Sequence, residues 1–439
     1  MGYATKGKAW KQAKRDAMRT LQQILDARGY DDTDTLPLWG LGQRTKIFDR
    51  DEELFTGKKK PARGILMPDA HEHIIGAPFA KELLHLIQKT PDCPIALGHV
   101  WQDNGAVKLV KAFDRCKLFI MTDGENWDGS VPRWATQFAF DVIQQAFIPS
   151  EIFDIEGHLV EDETRLSEAR ALKRIFRWIE AGFSRPTVVL ESGEIYRLPG
   201  GVASGSIWTT IVNSIVNYAL WAYVIRKTGH DENLFCMRVY GDDSVVGYRG
   251  TTYLNVARMW DHWTKISGIK VSKEKSTTSD CVEMCGDVYF GVHFLGKYID
   301  VGGRNPIRPV ADTYRQLLLP ERLPRSDEEE VTRVYGVICD NPFNTDADEV
   351  VRAYLRWLAE EGKDRDKRST AGITQGEYAG CVLRWVERGG ALSIYRDYEY
   401  VLRYHGDQVL QRGMRMREWT EDGYRLRRVQ AADVCNLIS

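Results

Sequence analysis

Three aspartates carry the first chemical signal in this sequence. Asp123 closes the apolar run KLFIMT, while Asp242 and Asp243 sit in MRVYGDDSVV between two further apolar runs. One carboxylate at a strand end and a pair in the turn of a neighbouring hairpin can hold two divalent cations rigidly. That is the requirement of two-metal phosphoryl transfer, in which the ions clamp the attacking and leaving oxygens. Magnesium takes such oxygen ligands and completes its shell with phosphate and water. Each piece alone has an ordinary explanation, since Asp is common at strand ends and Gly-Asp-Asp is common turn chemistry. At the tip of a hairpin with apolar flanks, however, close-set acids are costly unless paired or metal-bound.

Other chemistry-bearing residues surround these acids in the chain. MTDGENWDGS places a second aspartate, Asp128, after Asp123 with four residues between them. GGVASGSIWTTIVNS is a glycine-rich loop that runs into a helix carrying Thr209 and Asn213. Lys58, Lys59, Lys60 and Arg63 form a basic knot upstream, and Lys273 and Lys275 lie downstream in GIKVSKEKS.

The elements that must position these groups follow from periodicity and turn residues. The first 30 or so residues read as helical, and a loop-rich stretch extends to about Asp51. ILMPDAHEHIIGAPFAKELLHLI reads as an extended piece, a polar turn and a helix. LFIMTD reads as a buried strand, Val131 to Ile148 and Leu166 to Ala181 as helices, and TVVL-ESGE-IYRL as a hairpin. A long apolar-periodic helix is expected over Ile207 to Lys227. FCMRVYGDDSVVGYR then reads as strand, acidic turn and strand. A helix from about Tyr253 to Ser267 follows, with a last hairpin at DVYFGVHFLGKYI. Beyond Pro309 the chain turns mostly helical and charged, and a subdomain boundary is expected near Asn305 to Pro309. The sum is an α+β protein with an antiparallel sheet.

Composition bounds the function class. The 439 residues suffice for two or three subdomains around one site. A net charge of -2, from 60 basic and 62 acidic residues, argues neither for nor against a nucleic-acid partner, because positive charge can be concentrated in a channel. Eight scattered cysteines suggest a reducing compartment, and Cys281, Cys285 and His293 lack the fourth ligand and the spacing of a zinc site. The basic N-terminus lacks the apolar run of a secretory signal, and no apolar stretch reaches membrane-spanning length. A soluble, intracellular protein is expected.

In their order and separation these motifs resemble the palm motifs of viral RNA-dependent RNA polymerases, most of all those of double-stranded-RNA viruses of the partitivirus and picobirnavirus sort. Asp123 and Asp128 match the first motif, with Trp127 where many relatives carry Phe. Ser204, Gly205, Thr209 and Asn213 match the second, and Tyr240 to Asp243 match YGDD. The motifs cover roughly Lys58 to Lys297. The resemblance implies a right-hand fold: an N-terminal and fingers region over 1–115, palm over 116–134, a fingers insertion over 135–198, palm over 199–304, and a mostly helical thumb over 305–439. The palm would be an antiparallel sheet flanked by helices.

The resemblance also implies roles. Asp123 and Asp242, supported by Asp243, would be the metal ligands, for Mg2+ with Mn2+ able to substitute. Asp128 and Asn213 would recognise the ribose 2'-hydroxyl, with Thr209 adjusting the network, because a hydroxyl that donates and accepts leaves such groups unpaired when it is missing. Ser204 and Gly205 would touch template and nucleotide, Lys60 and Arg63 would hold the triphosphate, and Lys275, with Lys273 as competitor, would protonate departing pyrophosphate. Phe294 and Leu295 would anchor a hairpin that grips the primer or nascent strand, with Lys297 near the backbone. The expected partners are template and product RNA and nucleoside triphosphates, with viral capsid protein a further candidate and no membrane. The expected location is a virion interior or the host cytoplasm. An RNA-templated DNA polymerase and an inactive RNA-binding protein of similar fold are the rival readings.

Overall fold

The computed structural model describes residues 6–26, 36–44, 63–101, 105–148, 163–190, 192–284, 289–303, 305–318, 415–420 and 423–428, with separate positions between 320 and 354. The chain divides into two compact units, residues 1–98 with 115–280, and residues 99–114 with 281–439.

In the first unit, helix α1 (Lys6–Asp26) buries Ala13, Ala17, Thr20 and Ile24, a stripe at helical spacing. It packs against α2 (Ala70–Lys89) and α6 (Glu163–Ser184). Helix α2 begins where Asp69 caps it, its carboxylate accepting from the amides of His71 at 2.9 Å and Glu72 at 3.3 Å. Strand β1 (Leu38–Arg44) pairs antiparallel with β2 (Arg63–Pro68) and parallel with β4 (Thr187–Val189), and β4 pairs with β5 (Ile195–Arg197). The expected hairpin at β4 and β5 is present. Strand β1 lies in the stretch expected to be loop.

The second sheet has the order β6-β7-β3-β8 and is antiparallel throughout. Its strands are β3 (Leu118–Met121), β6 (Phe235–Tyr240), β7 (Asp243–Tyr248) and β8 (Thr277–Ser279). Phe119, Ile120 and Met121 are all buried, so β3 is covered on both faces, which accounts for its unbroken apolar run. Short α4 (Trp127–Ser130) and α5 (Arg133–Phe147) follow β3, and α7 (Thr209–Lys227) precedes β6. Helix α8 (Val256–Ser267) leads from β7 towards β8 and ends where Gly268 takes a left-handed conformation, φ 73°. Helix α7 buries eleven of its residues and is apolar nearly all round, as a helix enclosed by the core must be.

The second unit contains α3 (Ala106–Ala112), the short pair β9 (Tyr298–Ile299) with β10 (Pro306–Ile307), α9 (Val310–Leu318), and an antiparallel hairpin of β11 (Arg415–Thr420) with β12 (Gly423–Arg428). Phe294 and Lys297 bridge a tight turn in which Leu295 and Gly296 take φ of 49° and 74°. Phe294 is fully buried. Lys297 departs from the expectation that it lies near an RNA backbone. It is 1% exposed, and its ammonium sits 2.8 Å from the Asp340 carboxylate, which also meets Arg308 at 2.6 Å. A buried ammonium needs such a partner, and that need takes Lys297 away from solvent.

Among the described residues no helix is long and apolar enough to cross a membrane. Cys281 is half-buried, and Cys285 lies outside the described residues.

Candidate active site

The first unit holds a cavity of about 870 Å³ lined by Asp123 and Asn126 to Gly129, by Ser204, Thr209, Thr210 and Asn213, by Tyr240 to Asp242, and by Ser272 and Lys275. Residues far apart in the chain are thus collected by one sheet and one helix. Asp123 lies two residues beyond the end of β3 at Met121, and Asp242 occupies the turn between β6 and β7, closed by the Tyr240–Asp243 pair. Because β3 and β7 are adjacent, the strand end and the hairpin tip face the same space.

The Asp123 backbone is clasped by the segment after α8. Its carbonyl accepts from the Ser272 amide at 2.8 Å, and its amide donates to the Ser276 hydroxyl at 3.0 Å. The Lys275 ammonium lies 3.5 Å from the Asp123 carboxylate. Lys275 lines the cavity and Lys273 is not among its lining residues. One residue before Asp123, the Thr122 hydroxyl accepts from Trp260 of α8 at 2.8 Å.

Asp128 reaches the cavity through a left-handed residue, Asn126, with φ 50° and ψ 46°. Its carbonyl accepts from the Val202 amide at 2.7 Å. Gly201 makes this approach possible: its φ is 97°, and a Cβ there would fall 2.8 Å from that same carbonyl oxygen. The two motifs therefore meet backbone to backbone.

The Ser204–Gly205 loop is docked onto β2. The Leu66 amide donates to the Ser204 hydroxyl at 3.2 Å, and a Cβ on Gly205 would stand 2.2 Å from the Leu66 carbonyl oxygen. Ser206 donates to buried Glu72 of α2. The close approach at Gly205 is thus to a strand of the same chain, and Gly205, expected to touch template and nucleotide, is not among the cavity-lining residues. The Thr209 hydroxyl donates to the Ala203 and Ser206 carbonyls at 2.6 and 2.9 Å, holding the loop against the first turn of α7. Asn213 is 4% exposed, and its Oδ1 is buried without a hydrogen-bond partner.

Not every candidate converges here. Asp243 is the first residue of β7 and is not among the lining residues. Arg63 opens β2, but its side chain lies outside what the structure describes, as do Lys58, Lys59 and Lys60 altogether. Sequence reasoning missed Ser214, Asn217, Ser272 and Ser276. The spacing of Ser214 and Asn217, one and four residues beyond Asn213, was the available signal, because all three sit on the same stretch of one helix.

Among the described residues no three His, Cys, Asp or Glu side chains form a group able to hold a metal ion alone. Two carboxylates lining one cavity, with a lysine beside one of them, fit instead an ion whose remaining ligands arrive with a phosphate substrate.

The family model for viral RNA-dependent RNA polymerase matches residues 57–305, more than half of the chain. The chain belongs to the viral RNA-dependent RNA polymerase family. The match takes in every residue that lines the cavity except Leu41. Among curated proteins, the non-structural polyprotein 1AB of Turkey astrovirus 2 is 22% identical over 303 residues, covering 63% of this chain and 17% of that one. The chain thus spans less than a fifth of that relative's length. Among solved structures, the RNA-dependent RNA polymerase of a human picobirnavirus matches with a TM-score of 0.55 at 14% identity, covering 85% of this chain and 66% of the other. The Sicinivirus 3Dpol RNA-dependent RNA polymerase matches with a TM-score of 0.57 at 14% identity, covering 78% and 67%. These likenesses establish the fold, an α+β right-hand polymerase fold.

Proposed function

We propose that this chain is an RNA-directed RNA polymerase, which transfers nucleoside monophosphates from triphosphates to an RNA 3'-hydroxyl and releases pyrophosphate, replicating and transcribing a viral RNA genome. The observation that carries this reading is the convergence of Asp123, Asp128, Asn213, Asp242 and Lys275 on one cavity. Residues 1–115 and 135–198 would act as fingers, 116–134 and 199–304 as palm, and 305–439 as thumb.

Asp123 and Asp242, with Asp243 supporting, would hold magnesium or manganese. When bound, the metal lowers the pKa of the attacking hydroxyl and offsets charge on the leaving group. The remaining work belongs to the chain. The Ser272–Ser276 segment keeps Asp123 aimed at the cavity. Lys275 stands where it can give a proton to pyrophosphate. The unpartnered Asn213 oxygen can accept from a ribose 2'-hydroxyl, and Asp128 lines the same space, so a deoxyribose would leave a buried acceptor unsatisfied. Ser204 and Gly205 would present the loop to template and nucleotide, with Thr209 setting its position. Lys60 and Arg63 would neutralise the triphosphate. Template and product RNA, nucleoside triphosphates and a viral capsid protein are the proposed partners, and a virion interior or host cytoplasm the proposed location.

Labelled ribonucleotide incorporation by the purified chain tests this, on primed and unprimed single-stranded RNA, with magnesium or manganese and an Asp242→Asn control. Template-length product from the wild type, absent from the control, is the expected result. Equal product from both, or preferential use of deoxyribonucleotides, overturns the proposal.

A further inference from the structure

Helix α7 does more than carry Asn213 to the cavity. On its neighbouring face, Ser214, Asn217 and Trp221 recur at helical spacing along the β6–β7 hairpin. The Ser214 hydroxyl accepts from the Gly241 amide at 2.8 Å and donates back to the Thr210 carbonyl at 2.7 Å. The Asn217 side-chain amide donates to the carbonyls of Gly241 at 3.2 Å and Asp242 at 3.0 Å. One turn further on, the Trp221 indole donates to Ser244, inside β7, at 3.3 Å.

Asn217 is 1% exposed, and its Oδ1 is buried without a hydrogen-bond partner. Two carbonyl acceptors on one side dictate which way the amide is turned, since its oxygen has nothing to accept from them. A buried side chain that leaves one polar atom unsatisfied is unfavourable unless its other contacts matter more. Those contacts fall on the two-residue turn of the hairpin. Gly241 has φ 62°, and the ladder closes only at the Tyr240–Asp243 pair beneath it. Of the polar side chains, asparagine is the short one that offers two N–H donors from a single atom.

We infer that Asn217 is a positioning residue for Asp242: by pinning the carbonyls on both sides of the Asp242 α-carbon, those of Gly241 and of Asp242 itself, it sets the direction in which the Asp242 carboxylate enters the cavity. The inference rests on the polymerase reading and deepens it. Asn217 itself does not line the cavity, so it acts through the backbone of Asp242.

The test uses the full chain on a primed RNA template, comparing Asn217→Ala, Asn217→Asp and Trp221→Phe. Asn217→Ala is expected to lower kcat about tenfold or more, the loss that corresponds to one hydrogen bond's worth of alignment, while KM for nucleotide stays near wild type. Asn217→Asp removes both donors when ionised. It is expected to lower kcat at least as far as Asn217→Ala does, with KM for nucleotide again near wild type. Trp221→Phe, which acts on the same helix and hairpin away from the turn, is expected to lower the melting temperature without the loss in kcat. Hydrogen exchange supplies a readout that needs no catalysis, with the 240–243 amides exchanging faster in Asn217→Ala than in wild type. Unchanged exchange there, a normal kcat in Asn217→Ala, or an equal kcat loss in Trp221→Phe overturns the inference. A wild-type chain that incorporates nothing on either template overturns the polymerase reading instead.

Discussion

The Lys275 ammonium lies 3.5 Å from the Asp123 carboxylate, and the segment that delivers it also grips the Asp123 backbone through Ser272 and Ser276. The Lys275 side chain is 63% exposed and that of Asp123 36%, so solvent screens the pair and its value is chemical more than structural. A positively charged donor held beside the principal acid can balance charge before a nucleotide arrives and supply a proton when pyrophosphate leaves. Lys275→Ala is therefore expected to lower kcat by about a hundredfold with little change in melting temperature. Lys273→Ala, whose side chain is exposed, is the comparison. Equal losses from the two substitutions would remove the special role of Lys275.

The buried, unpartnered oxygen of Asn213 points to a second outcome. If it accepts from the ribose, Asn213→Ala should narrow the preference for ribonucleotides over deoxyribonucleotides by about tenfold, the equivalent of one hydrogen bond. Competition between the two nucleotide types in single-nucleotide extension measures this directly. An unchanged preference would move sugar recognition elsewhere.

Gly205 offers a steric test. An alanine Cβ there would lie 2.2 Å from the Leu66 carbonyl oxygen, a distance that backbone cannot tolerate. Either the loop or β2 must move. Gly205→Ala is expected to cost at least about 1 kcal/mol of stability and to reduce incorporation by about tenfold or more, whereas Ser204→Ala removes only one hydrogen bond, worth about 1 kcal/mol. Thermal melts alongside extension assays separate the two, and a Gly205→Ala chain with wild-type behaviour would exclude the docked loop.

Asp340 carries a pH signature in the second unit. Burial acts to raise its pKa, yet Lys297 and Arg308 outweigh it and hold the carboxyl below its usual range. Lys297 is lowered chiefly by burial, with Asp340 restoring it only in part. The direction at Asp340 decides the linkage, because both cations are in hydrogen-bonding contact with it. A depressed carboxyl contributes stability above the ordinary carboxylate pKa of about 4, and loses it as pH falls through the lower folded value. Asp340→Ala should cost about 3 kcal/mol at neutral pH by leaving the Lys297 ammonium buried and uncompensated. Denaturant melts of wild type and variant, at neutral pH and below about pH 4, should converge as the acid is approached. A constant difference across that range would rule out this linkage.

Much of the site was legible locally. Apolar runs flanking YGDD predict strand, turn and strand, and the structure has Tyr240 paired with Asp243. LFIMTD predicts a strand that delivers Asp123, and the apolar periodicity after GGVASGS predicts the helix beneath Asn213. These features depend on hydrophobic period and turn residues, which act within a few positions of one another. The strand β1 was not legible, because LWGLGQR contains two glycines and is held in place by β2 and β4, one of them a parallel partner from far along the chain.

The sequence by itself determined which residues can do chemistry here and which short element carries each, since side-chain type and local period need no partner. Only the tertiary structure decided which of them face one another. It brought Ser272, Lys275 and Ser276 around Asp123, set Gly205 against Leu66, turned Asn217 towards the carbonyl of Asp242, and gave Lys297 to Asp340 in place of a solvent-facing role. Those pairings are made by sheet order and by the need of buried polar groups for partners, and both are settled only when distant segments pack together.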